Sequence, residues 1–301
     1  MNNKTTDNFF RLDKNIYAEP GSNVEIKKYD TKYTGRFNDK EEASEMLVKD
    51  IIRLTELQDM LYADAKYSVL IVFQAMDAAG KDSTIKHVMS GINPQGCEVK
   101  SFKSPTLEEL QHDFLWRINK ELPRKGMITI FNRSHYEEVL VTRVHPEFIL
   151  KQRIPGIDSL DKIDENFWGA RFRQINHFEK YLADNGTIII KFFLHVSKEE
   201  QKERFLQRID KPGKNWKFSA EDVTERQYWN KYMKAYEDAI TATSKEHAPW
   251  YIIPADRKWF MRAVVGDIIV STLEQLNLSY PEVSKKVLDE LNEAKKKLLS
   301  E

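Results

Sequence analysis

The chain has 301 residues with 47 basic against 47 acidic side chains, so its formal net charge is zero. That balance argues against a general nucleic-acid coat and leaves a local basic channel open. The single cysteine, Cys97, excludes an internal disulfide framework and a cysteine-based zinc site, and it fits a reducing compartment. A hydrophobic fraction of 41% supports a sizeable core in one large domain or two small ones. No apolar run approaches the ~18 residues of a membrane span, and the N-terminus lacks the apolar stretch of a signal peptide. A cytoplasmic protein with neither a membrane nor a nucleic-acid partner is expected.

Residues 1–39 are polar and broken by Pro20, Gly21 and Gly35, and they read as an extended arm over the surface. From 40 to 63, Ala43, Met46, Leu47, Ile51, Leu54, Leu57 and Leu61 recur at helical spacing and predict an amphipathic helix. Residues 68–73 form a near-continuous apolar run, the pattern of a parallel strand buried on both faces. A helix is predicted over 83–90, a strand over 97–103, a helix over 106–119, a strand over 127–131 and a helix over 134–143. Residues 153–163 read as loop. A long helix follows over 165–184, closed by Asn185-Gly186, then a strand over 187–196. Ser197-x-x-Glu200 has the form of a capping box opening the next helix. A fifth strand over 249–254, a helix over 259–276 and a charged amphipathic helix over 281–301 complete the chain. Strands alternating with helices predict an α/β fold, a parallel five-stranded sheet sandwiched by helices. Ligands of such sheets bind beyond the C-terminal ends of the strands.

The stretch 67–84, YSVLIVFQAMDAAGKDST, has the order of a phosphate-binding loop: strand, small-residue turn, Gly-Lys, helix start. Backbone N–H groups and the helix N-terminus can cradle phosphate there, and Lys81 adds a full charge. The match to G-x-x-x-x-G-K-[ST] is incomplete. Ala75 stands where the first Gly belongs, Asp82 replaces the hydroxyl residue, and Ser83 comes one step late. Ala78, Ala79, Gly80, Lys81, Asp82 and Ser83 are the candidate phosphate cradle, and Asp77 puts a carboxylate inside it. At the end of the 127–131 strand, Asn132 and Arg133 face the same crevice. Asn132 cannot supply the negative charge a Mg²⁺ site needs, which leaves Asp77, Asp82 and Glu137 as the nearest carboxylates. Arg133 can hold phosphate bidentately.

A second segment, 204–217, reads RFLQRIDKPGKNWK. Arg204 and Arg208 share a helical face, Pro212-Gly213 ends the helix, and Lys211, Lys214 and Lys217 follow. In nucleoside-monophosphate-kinase-like proteins such a segment is a mobile lid over the transferring phosphates. Its charge suits a polyanion longer than one triphosphate, and the bland alternative is a solvated face. Lys86, Lys100, Lys103 and Arg117 could extend the positive path. His135, beside Arg133, raises phosphohistidine chemistry, although a packing or hydrogen-bonding His fits the position better. Trp168, Phe172, His177, Phe178 and Tyr181 form a stripe read as core, and Arg171 and Arg173 on the same helix could reach a nucleotide.

Together, AMDAAGKDST, FNRSHYEEVLV, RFRQINHFEKYL and RFLQRIDKPGKNWKFS resemble the polyphosphate kinase 2 family, over most of the chain from residue 40 to about 276. The resemblance implies a P-loop kinase fold of thymidylate-kinase-like type with a basic helical lid at about 204–218. With the kinase domain at 40–276, the polar arm is expected over 1–39 and the helical tail over 277–301. It also implies Mg²⁺, or Mn²⁺ in its place, and transfer of phosphate between inorganic polyphosphate and nucleotides. By position, Asp77 matches the loop acid that organises metal and acceptor, Lys81 the loop lysine, Arg133 the phosphate-gripping arginine, and Arg204 and Arg208 the catalytic lid. Many members have Asp where this chain has Asn132, and Asn where it has Glu137. That departure resembles the class III subgroup, which acts on both mono- and diphosphates, and leaves Asn132 and Glu137 as acceptor or metal contacts. The expected function is a reversible polyphosphate:AMP/ADP phosphotransferase with AMP, ADP and ATP as nucleotide partners, working as a homo-oligomer, dimer or tetramer. An ATP-dependent nucleotide or small-molecule kinase is the alternative, and a binding module without turnover is the rival from another class.

Overall fold

Every residue of β2 (Ser68–Ala75) is buried, which a strand can satisfy only in the middle of a sheet covered on both faces. The computed structural model describes residues 10–301. Along the chain, β1 (Tyr17–Ala18) and α1 (Lys40–Asp64) precede β2, and α2 (Lys81–Val88), β3 (Cys97–Ser101), α3 (Trp116–Asn119) and β4 (Ile128–Asn132) follow it. Then come α4 (Glu137–Val144), α5 (Glu147–Leu150), α6 (Glu165–Asp184), β5 (Thr187–His195), α7 (Lys198–Asp210), α8 (Ala220–Glu225) and α9 (Trp229–Thr243). The chain ends with β6 (Trp250–Pro254), α10 (Lys258–Glu274) and α11 (Lys285–Leu299).

The sheet order is β1-β6-β5-β2-β4-β3. The five strands from β2 to β6 are parallel, as expected. β2 and β5 form the long central pair, in register from Ser68–Thr187 to Ala75–Leu194. Parallel pairing puts the C-terminal ends of all five on one edge, and the polar loops gather there. The helices end where local chemistry provides caps. Asp39 accepts from Glu42 N–H at the start of α1, and Asp164 accepts from Phe167 N–H at the start of α6. Among the described residues no helix is long and apolar enough to cross a membrane.

Four features differ from expectation. Residues 10–39 are packed rather than draped: Phe10, Ile16, Ala18, Val24, Ile26 and Phe37 are buried, and β1 adds an antiparallel edge strand to β6. The helix expected over 106–119 is reduced to a turn of 3₁₀ helix at Glu109–Gln111 and the four residues of α3. Asp113 breaks it, capping Leu115 N–H through its carboxylate. The capping box at α7 is only half formed: Ser197 Oγ accepts from Glu200 N–H, but Ser197 N–H donates to Asp256, and Glu200 turns to Arg204. Helices α8 and α9 have no counterpart in the sequence pattern. The buried face of α9 is Tyr232, Ala235, Tyr236, Ala239, Ile240 and Thr243, small and aromatic residues with few aliphatic markers.

Candidate active site

All five parallel strands deliver side chains to one cavity of about 630 Å³. Ser101, Phe102 and Lys103 leave β3, Asn132 and Arg133 end β4, and the loop Asp77–Ser83 joins β2 to α2. Arg204, Gln207 and Arg208 on α7, with Lys214 and Lys217 beyond it, come from the segment after β5. Lys258 and Arg262 come from α10, after β6. Nine of the lining side chains are cationic, against two carboxylates, Asp77 and Asp82, and one large apolar side chain, Phe102. Small-molecule pockets are usually lined mainly by apolar groups. This one is built for an anion with little apolar surface.

The cradle is shaped from outside. Ala78 sits at φ +60° and Gly80 at φ +112°, left-handed conformations that cost a non-glycine residue on the order of 1–3 kcal/mol. Three successive carbonyls of the loop are held by α7. Gln201 Nε2 donates to Asp77 O (2.8 Å), and Arg204 Nη1 donates to Ala78 O (3.2 Å) and Ala79 O (2.6 Å). In a trans peptide the following N–H points opposite its carbonyl, so these bonds turn the loop's N–H groups away from α7. Lys81 Nζ donates to Ala75 O at 3.0 Å. Burial pushes its ammonium below the usual lysine range, with Asp77 acting in the opposite sense. Ala79 is buried behind the loop and does not line the cavity. The late hydroxyl is in use: Ser83 Oγ accepts from Arg262 Nη2 at 2.7 Å, while Thr84 Oγ1 bonds back to Gly80 O.

At the end of β4, Arg133 also has a positive φ, +64°, and its N–H donates to Phe73 O. Its Nη2 meets Asp77 Oδ1 at 3.0 Å and its Nη1 lies 3.9 Å from Glu137 Oε2. Glu137 first, then Asp77, holds the guanidinium above its ordinary value. Glu137 is not in the lining: it stands behind Arg133, where burial raises its carboxyl. Asn132 lines the cavity and donates Nδ2 to Asp82 Oδ1 at 2.8 Å.

The two arginines expected to form the lid differ. Arg204 is buried and donates five hydrogen bonds, to Glu200, Ala78 O, Ala79 O, Ala255 O and Asp256 O. A guanidinium has five N–H donors, so here Arg204 braces the cradle rather than closing over it. Arg208 makes only long contacts, to Lys217 O (3.3 Å) and Asp222 Oδ2 (3.4 Å). Lys214 and Lys217 line the cavity; Lys211 is exposed outside it.

Other candidates lie elsewhere. His135 is buried with Nε2 3.3 Å from Glu179, inside a core network that also joins Tyr136 and Lys191, so it cannot present itself to phosphate. Trp168, Phe172 and Phe178 are core, but His177 and Tyr181 of that stripe are exposed. Arg171 is buried against Phe114 and Gln152, away from the cavity, and Arg173 is exposed. Lys100 is paired to Glu98 and Glu121, Arg117 donates to Lys103 O, and neither they nor Lys86 line the cavity; Lys103 does. Sequence reasoning missed Lys258 and Arg262. The available signal was two cations four apart, one turn after the fifth strand.

Known proteins resemble this chain in sequence and in fold. The family model described as Polyphosphate kinase 2 (PPK2) matches residues 37–281. The chain is 50% identical over 286 residues to an ADP-polyphosphate phosphotransferase of Rhodopseudomonas palustris, covering 95% of this chain and 98% of the relative. It is 46% identical over 270 residues to an AMP/ADP-polyphosphate phosphotransferase of Meiothermus ruber, covering 89% and 96%. The crystal structure of Polyphosphate Kinase 2 from Arthrobacter aurescens TC1 superimposes with a TM-score of 0.83 at 37% identity, covering 93% of this chain and 98% of that one.

Proposed function

The chain belongs to the polyphosphate kinase 2 family, and we propose that it transfers phosphate from inorganic polyphosphate to AMP and ADP, giving ADP and ATP. The observation that carries this is the composition of the cavity, nine cations against two carboxylates with a single large apolar side chain. A nucleoside monophosphate alone would leave most of that excess unmet and a triphosphate part of it, whereas an inorganic polyanion meets it without needing apolar contacts.

Phosphoryl transfer needs positioning and charge stabilisation more than covalent help from the protein. Ala78, Gly80 and Ser83 present backbone and hydroxyl groups to phosphate, and Lys81 and Arg133 supply charge at the transfer point. Arg208, Lys214 and Lys217 cover the chain from the lid side, with Lys211 at its outer edge. Asp77 holds Arg133 in place and faces the acceptor phosphate, while Asn132 orients Asp82. Glu137 acts through Arg133. The acceptor oxygen attacks in line, the bond to the polyphosphate end breaks, and no covalent enzyme intermediate forms. The same arrangement serves the reverse reaction.

Among the described residues no group of three or more His, Cys, Asp or Glu is placed to hold a metal ion. Mg²⁺ takes one or two carboxylates and fills its remaining positions with phosphate oxygens and water. Asp77 and Asp82 are the two carboxylates in the cavity and would hold it. Mg²⁺, or Mn²⁺ in its place, would neutralise phosphate charge when bound.

The kinase domain spans 40–276, with 1–39 as the N-terminal segment and 277–301 as the tail. A homo-oligomer, dimer or tetramer, is supported by Val287, Leu288, Leu291 and Leu298, all exposed on α11. The chemistry is tested by incubating purified protein with AMP, Mg²⁺ and long-chain polyphosphate, without ATP. ADP and then ATP should form; no product would overturn the proposal. Turnover only after ATP is added would point instead to an ATP-dependent nucleotide kinase.

A further inference from the structure

We infer that Gln74 is a positioning residue for Arg133: its buried amide holds the turn that aims the guanidinium at the transferring phosphate. This rests on the function proposed above and adds to it a residue outside the cavity.

Gln74 is the second-last residue of β2 and is fully buried. Such a position in a central parallel strand calls for an apolar side chain, as at the preceding Val72 and Phe73. The amide does not line the cavity. Its Nε2 donates to Ser134 Oγ at 3.1 Å, and its Oε1 is buried without a partner. For stability this arrangement returns little, because a bare buried acceptor offsets much of what the single bond contributes. What the bond fixes is Ser134.

Ser134 follows the residue that most needs fixing. Arg133 sits at φ +64°, where a non-glycine residue persists only if its surroundings over-determine it. The end of β2 supplies two of the restraints. Phe73 O accepts from Arg133 N–H at 3.1 Å, and Gln74 Nε2 reaches the next side chain of the turn. Ser134 Oγ also accepts from Tyr136 N–H at 3.1 Å, and Ser134 O accepts from Glu137 N–H, so the serine joins the turn to the start of α4. The bond to Phe73 is made by the main chain and does not depend on the side chain at 73. The bond to Ser134 needs a donor of this length at 74. With the main chain held from behind, the guanidinium meets Asp77 Oδ1 at 3.0 Å and lies 3.9 Å from Glu137 Oε2. The Gln74 amide also favours the Glu137 carboxylate, after Arg133 and Lys81 and against the larger effect of burial. A cation that is to meet charge developing on a phosphoryl group must already be in place, and Gln74 keeps it there.

The test starts from Gln74→Met, which keeps the length of the side chain and removes both amide groups. Its Tm should stay within roughly 2 °C of wild type. With AMP and long-chain polyphosphate, kcat and kcat/KM should fall together by about 10- to 100-fold, KM for either substrate staying within about twofold. A merely structural role would give the reverse, a lowered Tm with kcat kept well below the melting range, and that result would overturn the inference. Ser134→Ala removes the same bond from its other end. In that background Gln74→Met should cost no more than about a further twofold in kcat; losses that multiply would show that the two residues act separately and would also overturn it. Should Gln74→Met not fold, Ser134→Ala carries the test alone, and wild-type kcat in it would be the refuting result. The parent proposal fails separately. If wild type makes no ADP, the function fails; if wild type is active and folded Gln74→Met matches it, the positioning role fails.

Discussion

Replacing Arg204 by Ala should damage stability and turnover together, whereas Arg208→Ala should damage turnover alone. Arg204 donates to four backbone carbonyls, two in the cradle and two at the β6–α10 junction. Hydrogen bonds to a charged group contribute about 1.5–3 kcal/mol each. Water entering from the cavity can satisfy some of the freed carbonyls, so counting two bonds as lost gives roughly 3–6 kcal/mol. At about 2 °C per kcal/mol for a chain of this size, Tm should fall by roughly 6–12 °C. The cradle carbonyls of Ala78 and Ala79 would also lose their orientation, which should lower kcat at least ~100-fold. Arg208 has two long hydrogen bonds and a guanidinium 5.4 Å from the Phe205 ring, so its removal should leave Tm within about 1 °C. The assay is a thermal melt beside steady-state kinetics of both variants. Arg204→Ala with unchanged Tm and lost activity would refute the bracing role and return Arg204 to direct phosphate contact.

Two further outcomes follow from single carboxylates. Asp77→Asn keeps the shape of the side chain but removes the charge facing Arg133 and the phosphates. Turnover should fall by at least ~10³-fold in both directions, and near-wild-type rates in either would remove Asp77 from the site. Asp50 concerns stability. Its Oδ2 is buried without a partner, and burial, then Asp267, pushes its carboxyl up to about 7. A carboxyl raised in the folded state contributes stability that is complete below the unfolded value of 3.8 and is lost as pH rises toward 7. The span sets a ceiling of about 4 kcal/mol. Asp50→Asn should therefore raise Tm by several degrees at pH 8 and hardly at all at pH 4; equal changes at both pH values would refute the linkage.

How far the sequence could be read follows from where each property is decided. β2 was legible because burial on both faces demands an apolar run, and 68–73 is one. Lys81 was legible because a cradle is local, built within a few residues. The segment 10–39 misled because its polarity hides six isolated core residues, and a two-residue edge strand leaves no periodicity. Arg204 and Arg208 look equivalent in sequence, four residues apart on one helix. They separate only when α7 packs on the β2–α2 loop, burying Gln201, Arg204 and Phe205 on the turn nearest the sheet and leaving Arg208 at the open end. Lys258 and Arg262 show the same limit more strongly. Locally they are only two cations one turn after a strand, and Arg262's partner Ser83 lies 179 residues away, brought close by the packing of α10 against α2. What a strand-end cation does depends on which strands flank it, and strand order is set by the whole sheet. The individual groups of this site are therefore local facts of the sequence, but their convergence on one cavity arises only from the order β6-β5-β2-β4-β3.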